Sequence, residues 1–203
     1  MAVCPKCGSQ MSKMGMCSNY GCTYVGSSSF DYYRLEESVE SELISNLIIM
    51  NEIVRKSDIG IEPEFYILGG AALIFHGLIQ RTTMDIDTAN KLGDNIKELI
   101  GEFISDNASE VVVLGRGYKE RAVRFMEKEL PYINVYLLSQ EDLLVSKLIS
   151  SRDKDIKDLV ESSILTKSNI AKAKSIIKLE YNAKVVDKLI KRLDHIIEMK
   201  EWG

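Results

Sequence analysis

All four cysteines of this 203-residue chain stand at positions 4, 7, 17 and 22, and none follows. Their spacing is C-x2-C-x9-C-x4-C. A segment so short and so poor in large aliphatics cannot bury a core, so residues 1–26 need a staple. Clustered cysteines in a reducing compartment favour a metal over disulfides. Two tight knuckles would supply four thiolates for one tetrahedral zinc. Such a site leaves no open position for water and is therefore structural. Gly8 follows the first pair and Gly21 lies inside the second, where the backbone must turn tightly. Four unmetallated thiols are the plain alternative.

The words CPKCG and CSNYGC resemble the zinc ribbons appended to bacterial and archaeal topoisomerases. That resemblance covers Cys4, Cys7, Cys17 and Cys22 and their neighbours. Ribbons of this kind serve as nucleic-acid contacts or as protein-docking knobs.

The rest of the chain bounds the other possibilities. A formal net charge of −4 argues against a broadly basic nucleic-acid-binding surface, while leaving room for local basic patches. No apolar run approaches the ~20 residues that span a bilayer. The first residues, MAVCPKCGSQ, lack the apolar core of a signal peptide, so a cytoplasmic protein without membrane partners is expected.

Residues 27–36, SSSFDYYRLE, read as a linker that docks through Phe30, Tyr32 and Tyr33. A globular domain is expected over 37–203, its helical C-terminal part beginning near 140. Val39, Leu43, Leu47, Met50 and Val54 recur at helical spacing and predict a helix over 38–56. Pro63 breaks it. Strands are expected at 64–68, 84–89, 110–114 and 132–138, with 119–126 as the hairpin partner of 110–114. Further helices are expected on AALIFHGL after Gly69-Gly70 and at 93–105, 140–151, 153–164, 167–179 and 183–200. A mixed sheet followed by helices alone is an α+β arrangement.

Two features in this domain carry chemistry. Asp85 and Asp87 lie one residue apart on a strand, so both point to one face and can hold Mg²⁺. Gly69 and Gly70 let backbone amides approach phosphate with no Cβ in the way. Taken singly, Gly-Gly is an ordinary turn, Asp-x-Asp a solvated strand end, and RDKDIKD a solvated helix face.

Their order is more informative. YILGGAALIFHGLIQRTTMDIDTA, 66–89, resembles the core of the nucleotidyltransferase superfamily, especially its minimal members and its abortive-infection toxin group. The match rests on Gly69, Gly70, Arg81, Thr83, Asp85 and Asp87. EDLLVSKLISSRDKDIKDL, 141–159, resembles the helical motif that follows the sheet in the toxin-like proteins, through Lys147, Arg152, Asp155 and Asp158. The resemblance implies a nucleotidyltransferase fold and a metal-dependent transfer of a nucleoside monophosphate from a triphosphate to an RNA end or a protein hydroxyl. It implies Mg²⁺ on Asp85 and Asp87, and a triphosphate on Gly69, Gly70, Arg81, Lys147 and Arg152. A toxin-like enzyme of this kind would have an antitoxin as a partner.

Active members place a third carboxylate on a later strand. Here the alternation of YINVYLL offers Asn134, whose amide carries no charge and cannot accept a proton. Either Asn134 is a weakened catalytic substitute, or Glu127 or Glu129 takes over, or the domain has become a nucleotide- or nucleic-acid-binding regulatory module. A partner-binding antitoxin or scaffold is a third reading. His76 is expected near the pocket wall, and His195, in an amphipathic helix, has no assigned role.

Overall fold

The computed structural model describes residues 39–57, 59–80, 83, 85–150 and 152–201. The cysteine ribbon, the 27–36 linker and Arg81 lie outside these residues. The described elements run α1 (Val39–Lys56), β1 (Glu64–Leu68), α2 (Gly69–Phe75), β2 (Ile86–Thr88), α3 (Asp94–Ile100), β3 (Ile104–Ser105), α4 (Ala108–Val111), α5 (Tyr118–Arg121), β4 (Val123–Arg124), β5 (Asn134–Leu137), α6 (Gln140–Ser150), α7 (Asp153–Glu161), α8 (Lys167–Glu180) and α9 (Ala183–Glu201). The domain is α+β, and a mixed sheet precedes four consecutive helices.

The sheet order is β3-β2-β1-β5-β4. β1 runs antiparallel to β2 and parallel to β5, β2 parallel to β3, and β4 antiparallel to β5. Because side chains alternate, the registers sort the residues onto two faces. One face carries Phe65, Ile67, Ile86, Thr88, Val135 and Leu137, all buried. The other carries Glu64, Tyr66, Leu68, Asp87, Asn134 and Tyr136, of which only Tyr66 and Leu68 are buried. The first face is the core face. α2, with Ala71, Ala72, Leu73 and Ile74 buried, packs on β1, β2, α1 and α6.

Three expectations are corrected. Residues 110–114 form no strand: α4 ends at Val111, and an extended segment follows that enters no ladder. Its alternation is nevertheless real, since Val112 and Leu114 pack on the core while Val113 is exposed. One of its carbonyls, Val113 O, accepts from the Tyr181 hydroxyl at 3.0 Å in place of a neighbouring strand. The hairpin therefore joins β4 to β5, with Val123 opposite Leu137, and residues 118–121 are helical. The 93–105 helix stops at Gly101, and its last residues become β3 beside β2.

Candidate active site

Asp87 is the middle residue of β2 and faces away from the core, opposite Leu68 of β1 and Ser105 of β3. Asp85 precedes the strand and is exposed. Burial pushes the Asp87 carboxyl above its ordinary range, and the charge of Asp85 pushes it further. Lys154, Arg152 and Lys147 act in the opposite sense without cancelling it. Two carboxylates held together at this cost are a site that lacks positive charge.

Gly69 explains how Asp87 fits. It ends β1 in the left-handed region, with φ +69°, and opens α2. A Cβ there would stand 3.3 Å from Asp87 Oδ2. Glycine is thus required both by the backbone and by the carboxylate folded back over it.

The C-terminal motif forms a charge network around Lys147. The Lys147 ammonium is buried and donates to Asp155 Oδ1 at 2.9 Å and Asp158 Oδ2 at 2.6 Å. Ser150 Oγ and Arg152 Nε donate to Asp155 Oδ2 at 2.6 and 2.7 Å. Burial alone would raise the Asp155 carboxyl, but these hydrogen bonds outweigh it and hold it at about 2. The charges of Lys147 and Arg152 act on Asp87, while their contacts are with Asp155 and Asp158. Lys147 is enclosed between two carboxylates, whereas Arg152 and Lys154 are exposed. Lys154 was not legible as a site residue, because RDKDIKD reads as an ordinary solvated helix face.

Asn134 is a correction. It shares the Asp87 face, but it pairs with Glu64, four residues before the Leu68 that stands opposite Asp87. At ~3.3 Å per residue that is about 13 Å along the sheet, far beyond a shared metal. Continued by one step, the register brings Leu138 level with Leu68, and Leu138 N donates to Ile67 O at 3.0 Å. Glu127 and Glu129 do not replace it. They are exposed in the turn that leads from β4 back toward the start of β5, at the Asn134 end. His76 lies close to the Asp87 level instead, with Nε2 donating to Leu138 O at 2.9 Å. His195 is exposed on α9.

The donor set suits Mg²⁺, which commonly takes one or two carboxylates and completes its shell with water and substrate phosphate. Among the described residues no group of three or more acidic, histidine or cysteine side chains is placed to enclose a metal.

Arg121 anchors α5, which lies against the Tyr66 side of the sheet. Its Nε and Nη2 donate to Asp142 Oδ2 and Oδ1, both at 2.8 Å, and its Nη1 to Glu180 Oε1 at 2.6 Å. Gly117 N also donates to Glu180 Oε2 at 3.0 Å. These bonds tie α5 to α6 and α8, and α5 in turn presents Tyr118 edge-on to Tyr66, with 5.6 Å between ring centroids.

Residues 44–198, well over half of the chain, match the model of a family described as "nucleotidyltransferase of unknown function (DUF6036)". No curated protein and no solved structure matches the chain significantly.

Proposed function

We propose that this chain, which belongs to the DUF6036 nucleotidyltransferase family, moves a nucleoside monophosphate from a nucleoside triphosphate to a hydroxyl acceptor by a metal-dependent route. The observation that carries the reading is the Asp85–Asp87 pair. Asp87 lies against Gly69 on the sheet face that turns from the core, Asp85 stands just before the strand, and burial together with its neighbour's charge raises the Asp87 carboxyl. Asp85 and Asp87 would hold Mg²⁺. When bound, it would neutralise phosphate charge and polarise the α-phosphoryl group. The acceptor oxygen forms a bond to the α-phosphorus as the bond to the bridging oxygen of the β-phosphate breaks. Pyrophosphate leaves with that electron pair, and the hydroxyl proton passes to solvent.

The chain's own residues divide the remaining work. Gly69 and Gly70 keep the ground beside Asp87 clear for phosphate. Arg152 and Lys154, exposed and acting on Asp87, supply charge to the triphosphate, and Arg81 is assigned to the same role from its motif position. Lys147 orders Asp155 and Asp158 and holds α6 to α7, so its part is positioning. RNA ends and protein hydroxyls are the acceptor classes. The N-terminal cysteines, holding zinc, would help recognise the acceptor, and an antitoxin-like partner fits a toxin-like role.

A second reading has one observation in its favour. Level with Asp87, β1 and β5 present Leu68 and Leu138, so no third carboxylate stands beside the pair among the described residues. A site with two carboxylates and no adjacent general base binds nucleotide and transfers slowly, as a regulatory module would. The test is label transfer from each α-labelled triphosphate, with Mg²⁺ and total cellular RNA or protein. Label in an acceptor together with released pyrophosphate supports the enzyme, and tight binding without transfer supports the module.

A further inference from the structure

Beyond the carboxylate pair, the sheet face that carries Asp87 also carries a row of flat groups that the transfer chemistry does not use. Tyr66 of β1 and Tyr136 of β5 stack with centroids 4.9 Å apart and planes 11° apart. Arg124 of β4 lies on the far side of Tyr136, its Cζ 5.1 Å from the ring centroid. Lys119 of α5 places its Nζ 5.0 Å over the Tyr66 ring. Two stacked phenols are thus bracketed by two cations. Neither cation meets a carboxylate among the described residues. Arg124 reaches only Ile133 O, at 3.4 Å, and its Nε has no hydrogen-bond partner.

The row ends at an edge. β4 is the outermost strand, and Val123 beside Arg124 is 58% exposed. Arg124 itself is half-buried against Tyr136, with its Nε enclosed, and no strand of the sheet lies beyond β4.

We infer that this row is the track for an unpaired nucleic-acid acceptor strand, with a base stacked on Arg124 at the sheet edge and phosphate drawn by Lys119. Guanidinium planes and aromatic rings are the usual platforms for unpaired bases, and cations beside them follow the backbone. The same face carries the exposed Glu64, which accepts from the Tyr66 hydroxyl at 3.5 Å, so it is Lys119 and Arg124 at the two ends of the row that would draw a polyanion. From strand spacing and rise, Tyr136 lies on the order of 12 Å from Asp87 across the sheet, close enough for a strand whose terminal hydroxyl reaches the metal site. An acidic peptide would use the cations but not the planes.

This inference rests on the transferase reading, and one experiment separates the two. Fluorescence anisotropy with a labelled eight-nucleotide single-stranded RNA at fixed low salt measures the track. Binding of Mg²⁺-nucleotide to the same proteins measures the transferase site. Wild type is expected to bind both. Arg124→Ala should weaken RNA about tenfold, as expected for one lost stacking contact, with nucleotide binding unchanged. Arg124→Lys should stay weakened, because charge without a plane does not restore the stack. The exposed Lys119→Ala, which leaves the fold alone, should weaken RNA several-fold and flatten its salt dependence. Absence of RNA binding by wild type, unchanged affinity in Arg124→Ala and Lys119→Ala, or full rescue by Arg124→Lys overturns the track. Loss of nucleotide rather than RNA binding in Arg124→Ala also overturns it, by assigning the row to the triphosphate's own base. Failure of wild type to bind Mg²⁺-nucleotide overturns the transferase reading instead.

Discussion

Gly69 and Asp87 share one space: a Cβ on the glycine would stand 3.3 Å from the Asp87 Oδ2 atom, at a backbone φ of +69°. Gly69→Ala therefore meets two obstacles. The left-handed conformation costs a side-chain-bearing residue roughly 1–2 kcal/mol, and the carboxylate must move. Chemical denaturation should show a loss of about that size, and calorimetry should show weaker Mg²⁺-nucleotide binding. Unchanged binding in a folded Gly69→Ala protein would remove Gly69 from the site.

Asp87 separates stability from function. Its raised carboxyl means that the folded protein holds the ionised form unfavourably, and this penalty is present at neutral pH and disappears as the group protonates. Asp87→Asn should therefore leave the melting temperature unchanged or slightly higher while abolishing Mg²⁺-dependent nucleotide binding. In wild type, that binding should fall on acidification at a higher pH than an ordinary aspartate would dictate. A calorimetric pH series on both proteins checks the two claims.

The Lys147 network behaves in the opposite sense. Asp155 is held at about 2, below its ordinary 3.8. Its stabilising contribution is therefore complete above the unfolded value and is lost as pH falls from near 4 toward about 2. Asp155→Asn should cost about 3 kcal/mol, the lower end of the range for breaking a buried ion pair, since Asp158 still faces Lys147. Urea melts at neutral pH measure the loss, and melts at pH 3 should show a smaller difference between the two proteins.

Much of this arrangement is legible in the residues themselves. The α1 stripe of Leu43, Leu47, Met50 and Val54, the strand before Gly69, and the four C-terminal helices follow from periodicity and breakers. The face of Asn134 was also readable, because alternation fixes faces. Its level was not. Which β5 residue stands beside Asp87 depends on how β5 registers against β1, and the crossover from β1 to β5 sets that from residues far away in sequence. The valines at 112–113 show a related limit: alternation marks an extended segment but does not say whether a strand edge is free to receive it. Lys147 and Arg152, five apart in sequence, differ in burial: Lys147 is held between Asp155 and Asp158 inside the fold, whereas Arg152 reaches Asp155 from the surface.

The cysteine segment has its own test. Elemental analysis of purified protein should find about one zinc per chain, bound by four thiolates. Cys17→Ser should release it, while the melting transition of the domain that contains the sheet stays in place. Metal-free protein with an unaltered N-terminal NMR fingerprint under reducing conditions would contradict the zinc assignment.

The central claim is that Asp85 and Asp87 make this a metal-dependent nucleotidyltransferase, and pyrophosphate release tests it most directly. Purified protein is incubated with Mg²⁺, the four nucleoside triphosphates and total cellular RNA, beside the Asp85→Ala/Asp87→Ala variant. The account predicts pyrophosphate from wild type, matched by α-phosphate label in an acceptor, and neither from the folded variant. Equal release by both proteins would contradict it.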